Sequence, residues 1–371
     1  MKPASFQSEQ WMTEYEHQAR VNLTDSSADS LSFSQLAALE KDLLEDLVLD
    51  YGVIEGDPRL REEILSLYQN RDPATLALSQ GCSQANRLVM EVLLEAGDHV
   101  ITFIPGYQQF WEIPKRMGCD VSLIALDEQK NWSFLLDELE KTIRPQTRLL
   151  ILNNPSNPSG SYLNREDLER LADLCRKHDL YVLCDEVYLY PDDAHPSFSD
   201  LYEKALATSS LSKILGLPGL RTGWIKGDPK VIEAVAAARD YSLISTGPLL
   251  DAMALIALRH REAIRKPIEQ TIETNRRIID EWLSDHPDFS WVSPQAGPLG
   301  LLRVHADISS EDFAKKLLEE TGIFFVPGSC FEAEGHFRLS LGFRHENLKQ
   351  TLDEIQSFLD RYKEQNLQKA R

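Results

Sequence analysis

The sequence is poor in cysteine, with five in 371 residues, an odd number and widely scattered. Cys82, Cys119, Cys175, Cys184 and Cys330 form no CxxC pair, which argues against a disulfide framework or a zinc site and for reduced thiols in a cytoplasmic chain. The nine histidines include no HExxH and no short His/Cys cluster, so no metal site is expected. Positive charge is also short: Lys and Arg total 39 against 59 Asp and Glu, a net −20. A nucleic-acid partner needs a basic face to release counterions, and that class is excluded. No run approaches the ~18 apolar residues of a membrane span, and Met1–Trp11 has no apolar stretch of signal-peptide kind. A soluble, cytoplasmic chain with no membrane partner is expected.

The composition that is present, 42% hydrophobic and 26% charged, is that of a globular protein. The length exceeds what one core usually supports. Residues 1–47 read as a polar N-terminal arm joining a small domain, with a Ser/Thr/Asp cluster at Thr24–Ser32 and a helical stretch at Phe33–Leu49. From about 75 to 226, β runs at Leu76–Ser79, His99–Ile104, Val121–Leu126, Arg148–Leu152, Leu180–Cys184 and Ala205–Ser209 alternate with helical segments at 84–95, 107–117, 134–143 and 164–178. That alternation predicts an α/β large domain over 48–245, built on a mainly parallel sheet covered by helices. After Gly227 the pattern changes to long helices (229–245, 248–284). Strands then follow near Phe289–Val292, Leu299–Val304, Ile323–Val326 and Phe337–Leu341, with a last helix after Asn347. These form a smaller α+β domain, 246–371.

Three groups of polar residues fall at predicted strand ends, where open α/β sheets bind ligands. Asn153-Asn154-Pro155-Ser156-Asn157-Pro158-Ser159-Gly160 follows the run Leu149–Leu152, although a plain turn would use the same residue types. Asp185-Glu186 closes Tyr181–Cys184 and precedes Tyr188; a carboxylate there could merely cap a helix. Ser210-Leu211-Ser212-Lys213 leads into Gly216, Gly219, Arg221 and Gly223, which a surface loop could also supply. No GxGxxG opening a helix and no GxxxxGK[ST] is present. Asn157 to Asp185 and Asp185 to Lys213 are both 28 residues, about one βαβ step each, so all three groups fall on one rim of one sheet. An amide, a buried carboxylate, and a lysine with hydroxyls and an arginine suit pyridoxal phosphate. That cofactor asks for a lysine Schiff base, an acid for its ring nitrogen and a phosphate cup.

On the segments SxSKxxGLxGxRxG (210–223) and NNPxNPSG (153–160), the chain resembles the class I/II aminotransferase group of fold-type I pyridoxal-phosphate enzymes over roughly residues 48–345. The resemblance implies a large domain with a seven-stranded-type sheet. It also implies a role for each matching residue. Lys213 would hold the cofactor and move protons at the substrate Cα, and Asp185 would keep the ring nitrogen protonated. Asn157 and Tyr188 would hydrogen-bond the ring O3′, with Asn157 also near the substrate, and Tyr107 would stack on the ring. Ser210, Ser212 and Arg221 would bind the phosphate, joined by Ser83 and Gln84 where Gly81-Cys82-Ser83-Gln84-Ala85 opens a helix. Arg338, in Phe337-Arg338-Leu339-Ser340, would clamp the substrate carboxylate. Tyr51, in Tyr51-Gly52-Val53-Ile54-Glu55-Gly56, would reach the phosphate of a partner subunit, making the active unit a homodimer acting on a small amino acid.

Two departures from ordinary aminotransferases stand out. Pro298-Leu299-Gly300 follows Gly297, where that group often places aromatics, and the arm Asn22–Leu36 is unusual. With 211–224 and Ala238–Leu243, that arm is most similar to capreomycidine synthase-like cyclases. Such enzymes eliminate a side-chain hydroxyl from a hydroxyarginine and close a cyclic guanidine. The resemblance therefore implies a cyclising lyase, with an ordinary aminotransferase passing its amino group to a 2-oxo acid as the alternative. The arm would then line the substrate end of the site.

Overall fold

The computed structural model describes residues 4–134, 136–192 and 194–369. Its larger sheet has seven strands in the spatial order Leu76–Ser79, Gly223–Lys226, Ala205–Ser210, Tyr181–Asp185, Thr147–Asn153, His99–Ile104 and Asp120–Ala125. All neighbours are parallel except Gly223–Lys226, which runs antiparallel to the strands on both sides of it. The six predicted β runs are all present within a residue or two. Gly223–Lys226 is an addition, masked in the sequence by its glycine and by Lys226, whose side chain is nevertheless fully buried, with Nζ 5.5 Å from the Tyr68 ring centre.

Strand side chains alternate between two cores, as the period of two requires. Leu149, Ile151, Leu183 and Leu206 pack with Leu88, Val89 and Val235 of the helices Cys82–Leu93 and Pro229–Arg239. Leu150, Leu152, Val182 and Cys184 pack on the opposite face with Leu168, Leu171 and Cys175 of Arg165–Lys177. The edge strand Asp120–Ala125 is the least covered, with Ile124 its one buried side chain.

A second sheet, antiparallel, orders Val326–Pro327, His336–Ser340, Leu299–Val304 and Phe289–Trp291. It packs with Ser310–Thr321 and Leu348–Lys369 around Phe313, Phe337 and Phe358. The predicted run Ile323–Val326 divides: Ile323–Phe324 pairs instead with Val21–Asn22 of the arm. The arm touches two cores, since Trp11 and Leu23 join the cluster around Phe313, while Ala28 and Leu36 pack near Leu60 and Met253.

Several helical expectations are corrected. The stretch Phe33–Leu49 contains only the short helices Phe33–Ala37 and Asp42–Glu45, and the helix from 229 ends at Arg239. The segment 248–284 breaks at His260 into Pro248–Arg259, buried continuously from Asp251 to Leu258, and the amphipathic Arg261–Ser284. Apolar periodicity carries on through that one-residue change of direction. The helices Gln7–Tyr15 and Pro58–Leu65 had no counterpart in the sequence reading. Among the described residues no helix is long and apolar enough to cross a membrane.

Candidate active site

Register places the polar strand ends side by side. Asn153 is opposite Asp185 and Asp185 opposite Thr208, at the carboxyl ends of three parallel strands. A cavity of about 480 Å³ opens above this rim. Of the residues singled out in the sequence, Lys213, Asp185, Asn157, Tyr188, Tyr107, Ser83, Ser210, Ser212, Arg221 and Arg338 all line it.

Asp185 is the most constrained of them. Its Oδ2 accepts from Asn86 Nδ2 at 2.7 Å and its Oδ1 from the Val187 N–H at 3.0 Å. Asn86 is held in turn: its Nδ2 also donates to Gln109 Oε1 and its Oδ1 accepts from Thr208 Oγ1 at 2.6 Å. Burial pushes the Asp185 carboxyl upward, against the hydrogen bonds of Asn86 and Val187 that pull it down. A cation placed against it would restore the charged form.

Lys213 sits in the short helix Leu211–Ile214 just past the strand Ala205–Ser210, and its Nζ donates to Ser26 Oγ at 2.7 Å. Burial pushes its amine down to about 8, with Arg338 and Arg221 acting the same way and Asp25 and Glu9 opposing. About a tenth of such an amine is neutral at pH 7, against roughly one part in three thousand for an ordinary lysine. It is poised as a nucleophile and base. Burial also drives the phenols of Tyr188 and Tyr107 and the Cys82 thiol upward, so all three stay protonated.

One end of the cavity suits an anion. Cys82–Leu93 begins there, so its first-turn N–H groups lack intrahelical partners. Ser83, Ser210, Ser212 and Arg221 line the same cavity, and the Arg221 guanidinium lies beside Gly81 at that helix start. Gly81, at φ +79°, permits the close approach: a Cβ there would lie 2.7 Å from Arg221 Nη2. Asn157 is fixed through its N–H to Asn153 Oδ1 at 2.6 Å, and among the described residues its own buried Oδ1 has no partner, a polar group left for a ligand. A base, a buried carboxylate and an anion cradle within one cavity fit pyridoxal phosphate.

Two expected residues lie elsewhere. Gln84 does not line the cavity: its Oε1 accepts from the Gln80 N–H at 2.6 Å and its Nε2 donates to Ser242 Oγ at 3.1 Å. The expectation for Gln84 drew on the backbone N–H groups of the helix start, and Gln84 does lie in the first turn of Cys82–Leu93. Tyr51 is 66% exposed on the surface, away from this chain's cavity. The reading also missed Phe6, Glu9, Asn86 and Gln109. Asn86 had a signal, a polar side chain on the apolar face of an amphipathic helix.

The family model described as aminotransferase class I and II matches residues 21–355. Capreomycidine synthase of Streptomyces vinaceus is 28% identical, over 94% of this chain and 92% of that protein. Aspartate aminotransferase of Pyrococcus abyssi is 27% identical over 86% of each chain. The crystal structure of a PLP-dependent aminotransferase from Streptococcus suis is 34% identical, superposes with a TM-score of 0.93, and covers 97% of this chain and 99% of that one.

Proposed function

This chain belongs to the class I and II aminotransferase family, whose cofactor is pyridoxal phosphate, and from that premise we propose that it dehydrates and cyclises a hydroxylated arginine to a cyclic guanidino amino acid. When bound, pyridoxal phosphate supplies an aldehyde that condenses with amines and a protonated ring that withdraws electrons from the substrate Cα.

In this reading Lys213 holds the cofactor, Asp185 holds the ring-nitrogen proton, and Asn157 and Tyr188 hydrogen-bond the ring oxygen beside it. Tyr107 covers the ring face. Ser83, Ser210, Ser212 and Arg221 bind the phosphate, with the start of Cys82–Leu93. Arg338, buried, with its Nε on Thr24 O at 3.1 Å, offers its remaining donors to the substrate carboxylate. Lys213 Nζ takes the Cα proton. Ser26 Oγ, 2.7 Å from that nitrogen, passes a proton to the departing side-chain hydroxyl. The C–O bond breaks, a guanidino nitrogen forms the new C–N bond and returns a proton to Ser26, Lys213 gives its proton back to Cα, and the sum is loss of one water with no change in oxidation state.

The observation that carries this reading is the Ser26–Lys213 hydrogen bond, because it brings a hydroxyl of the arm to the reacting lysine. The likeness to capreomycidine synthase, which covers 94% of this chain, supports it. Holoenzyme given hydroxyarginines without any oxo acid should release repeated turnovers of a product lighter by one water, with its α-amine retained, by mass spectrometry. A second reading, transfer of the amino group to a 2-oxo acid, is favoured by the 34% identity to the Streptococcus suis aminotransferase. It wins if only a 2-oxo acid forms, and only when an acceptor is supplied.

The active unit is a homodimer in this proposal. Val48, Leu49, Tyr51, Val53 and Ile54 are exposed, as are Tyr241, Ile244 and Leu249. The two segments adjoin: a Cβ on Gly52 would touch Pro248, and Arg239 Nη2 donates to Ile54 O at 3.0 Å. An apolar surface of this kind suits a second copy, to whose phosphate site Tyr51 would reach.

A further inference from the structure

An α-amino acid brings three groups to such a cavity, and the residues above account for two of them, the carboxylate and the amine. The side chain has none assigned. The cavity lining contains two carboxylates, Asp185 and Glu9. Asp185 is buried, held by Asn86 and Val187, and already assigned to the cofactor ring nitrogen. Glu9 is exposed at the mouth, and among the described residues its carboxylate makes no hydrogen bond or ion pair. The acids beside it are occupied: Glu16 accepts from Asn22 Nδ2 at 2.8 Å, and Asp25 accepts from the Ser27 N–H at 2.9 Å.

Glu9 is held there by its helix. The Gln7 N–H donates to Gln108 Oε1 at 2.7 Å, Gln108 Nε2 donates back to Ser5 O at 2.9 Å, and Trp11 Nε1 donates to Phe325 O at 2.9 Å. Phe6, three residues earlier and so on the same side, lies with its ring 5.0 Å from that of Tyr107. The mouth thus has an apolar wall followed by a free carboxylate. The first turn of any helix favours an acid through the helix dipole, which would explain Glu9 on an open surface but not its place in the cavity lining.

We propose that Glu9 is the specificity-determining residue for a cationic substrate side chain, its carboxylate pairing with a guanidinium while Phe6 and Tyr107 flank the methylene stem. The inference rests on the reading that the substrate is arginine-like. It applies equally to a cyclase and to a transaminase. A carboxylate at this point also rejects acidic side chains, the repulsive half of specificity.

The test is a titration of the cofactor-loaded enzyme, following the cofactor absorbance change, with L-arginine and with L-citrulline, its neutral near-isostere. Wild type should bind arginine more tightly. Glu9→Gln should weaken arginine about tenfold, the equivalent of about 1.4 kcal/mol, and leave citrulline within about twofold, so that the preference disappears. Glu9→Asp should restore part of the preference, and Glu9→Lys should invert it. An unchanged absorbance spectrum before ligand is added shows that each variant is folded and loaded. If wild type prefers arginine and Glu9→Gln keeps that preference, the role of Glu9 is refuted while the arginine-like substrate stands. If wild type does not distinguish the two amino acids, both fall.

Discussion

Replacing Asp185 with asparagine removes a charge while preserving shape, and the surrounding bonds allow the consequence to be worked out. Both carboxylate oxygens accept, one from Asn86 Nδ2 and one from the Val187 N–H. An asparagine can accept only one of these and must point its own NH2 at the other donor. Asn86 cannot turn over to oblige it without breaking its bonds to Gln109 and Thr208. A buried donor left unpaired costs about 1–3 kcal/mol, partly offset because a carboxylate that burial has pushed upward is no longer being desolvated. Stability should therefore change modestly. The rate should not, because a neutral amide cannot hold the ring-nitrogen proton. Loss of one preorganised electrostatic partner costs about 10²–10³ in turnover. Exchange of the substrate Cα–H in D2O, followed by proton NMR, isolates that step from everything after it. Pairing Asn86→Asp with Asp185→Asn rebuilds the match between these two residues, at the cost of the donation to Gln109 Oε1, with the carboxylate on the wrong residue, and should not recover exchange. If Asp185→Asn, loaded with cofactor, exchanges within about threefold of wild type, the assignment of Asp185 to the ring nitrogen is wrong. Recovery of exchange in the paired variant would refute it as well.

The lowered amine of Lys213 gives a pH test on the cofactor-free protein. The neutral form is the nucleophile, so the rate of capture of pyridoxal phosphate should rise with pH through about 8 and level off above it. A rise continuing beyond pH ~10, where an ordinary lysine titrates, would show that Lys213 is not desolvated. Borohydride reduction and peptide mapping should place the pyridoxyl label on Lys213. Gly81→Ala forces a Cβ to within 2.7 Å of Arg221 Nη2 at a positive φ. It should weaken cofactor affinity about tenfold in a fluorescence titration, and unchanged affinity would separate Arg221 from the phosphate site. Ser26→Ala should slow water loss by about 10² while leaving Cα–H exchange near wild type, and equal slowing of both would deny Ser26 a role in protonating the leaving oxygen.

The parts of the site that were legible in the sequence are those whose meaning is local. Apolar strands ending in Asn153, Asp185 and Ser210 declare both their length and their polar terminus. Since neighbouring strands are parallel and in register, one rule about strand ends brings all three together. Where a strand breaks the local rule it is lost: Gly223–Lys226 holds an interior position with a buried lysine. The arm fails for a different reason. Gln7–Tyr15 buries only Ser8 and Trp11, too little to show as amphipathic periodicity, and it is positioned by Gln108 and Phe325, about 100 and 300 residues away in sequence. Gln84 and Asn86 make the contrast within one turn of one helix. Read as residue types, either amide could serve a ligand. The helix turns Gln84 outward to Gln80 and Ser242, and carries Asn86 inward beneath Asp185, whose position is settled by strand pairing far along the chain. A side chain's chemistry is written at its own position, but whether that chemistry reaches the ligand depends on the phase of its element against a partner the local sequence does not contain. Such residues therefore have to be sought among polar side chains on otherwise apolar faces, where burial without a partner would cost too much to be accidental.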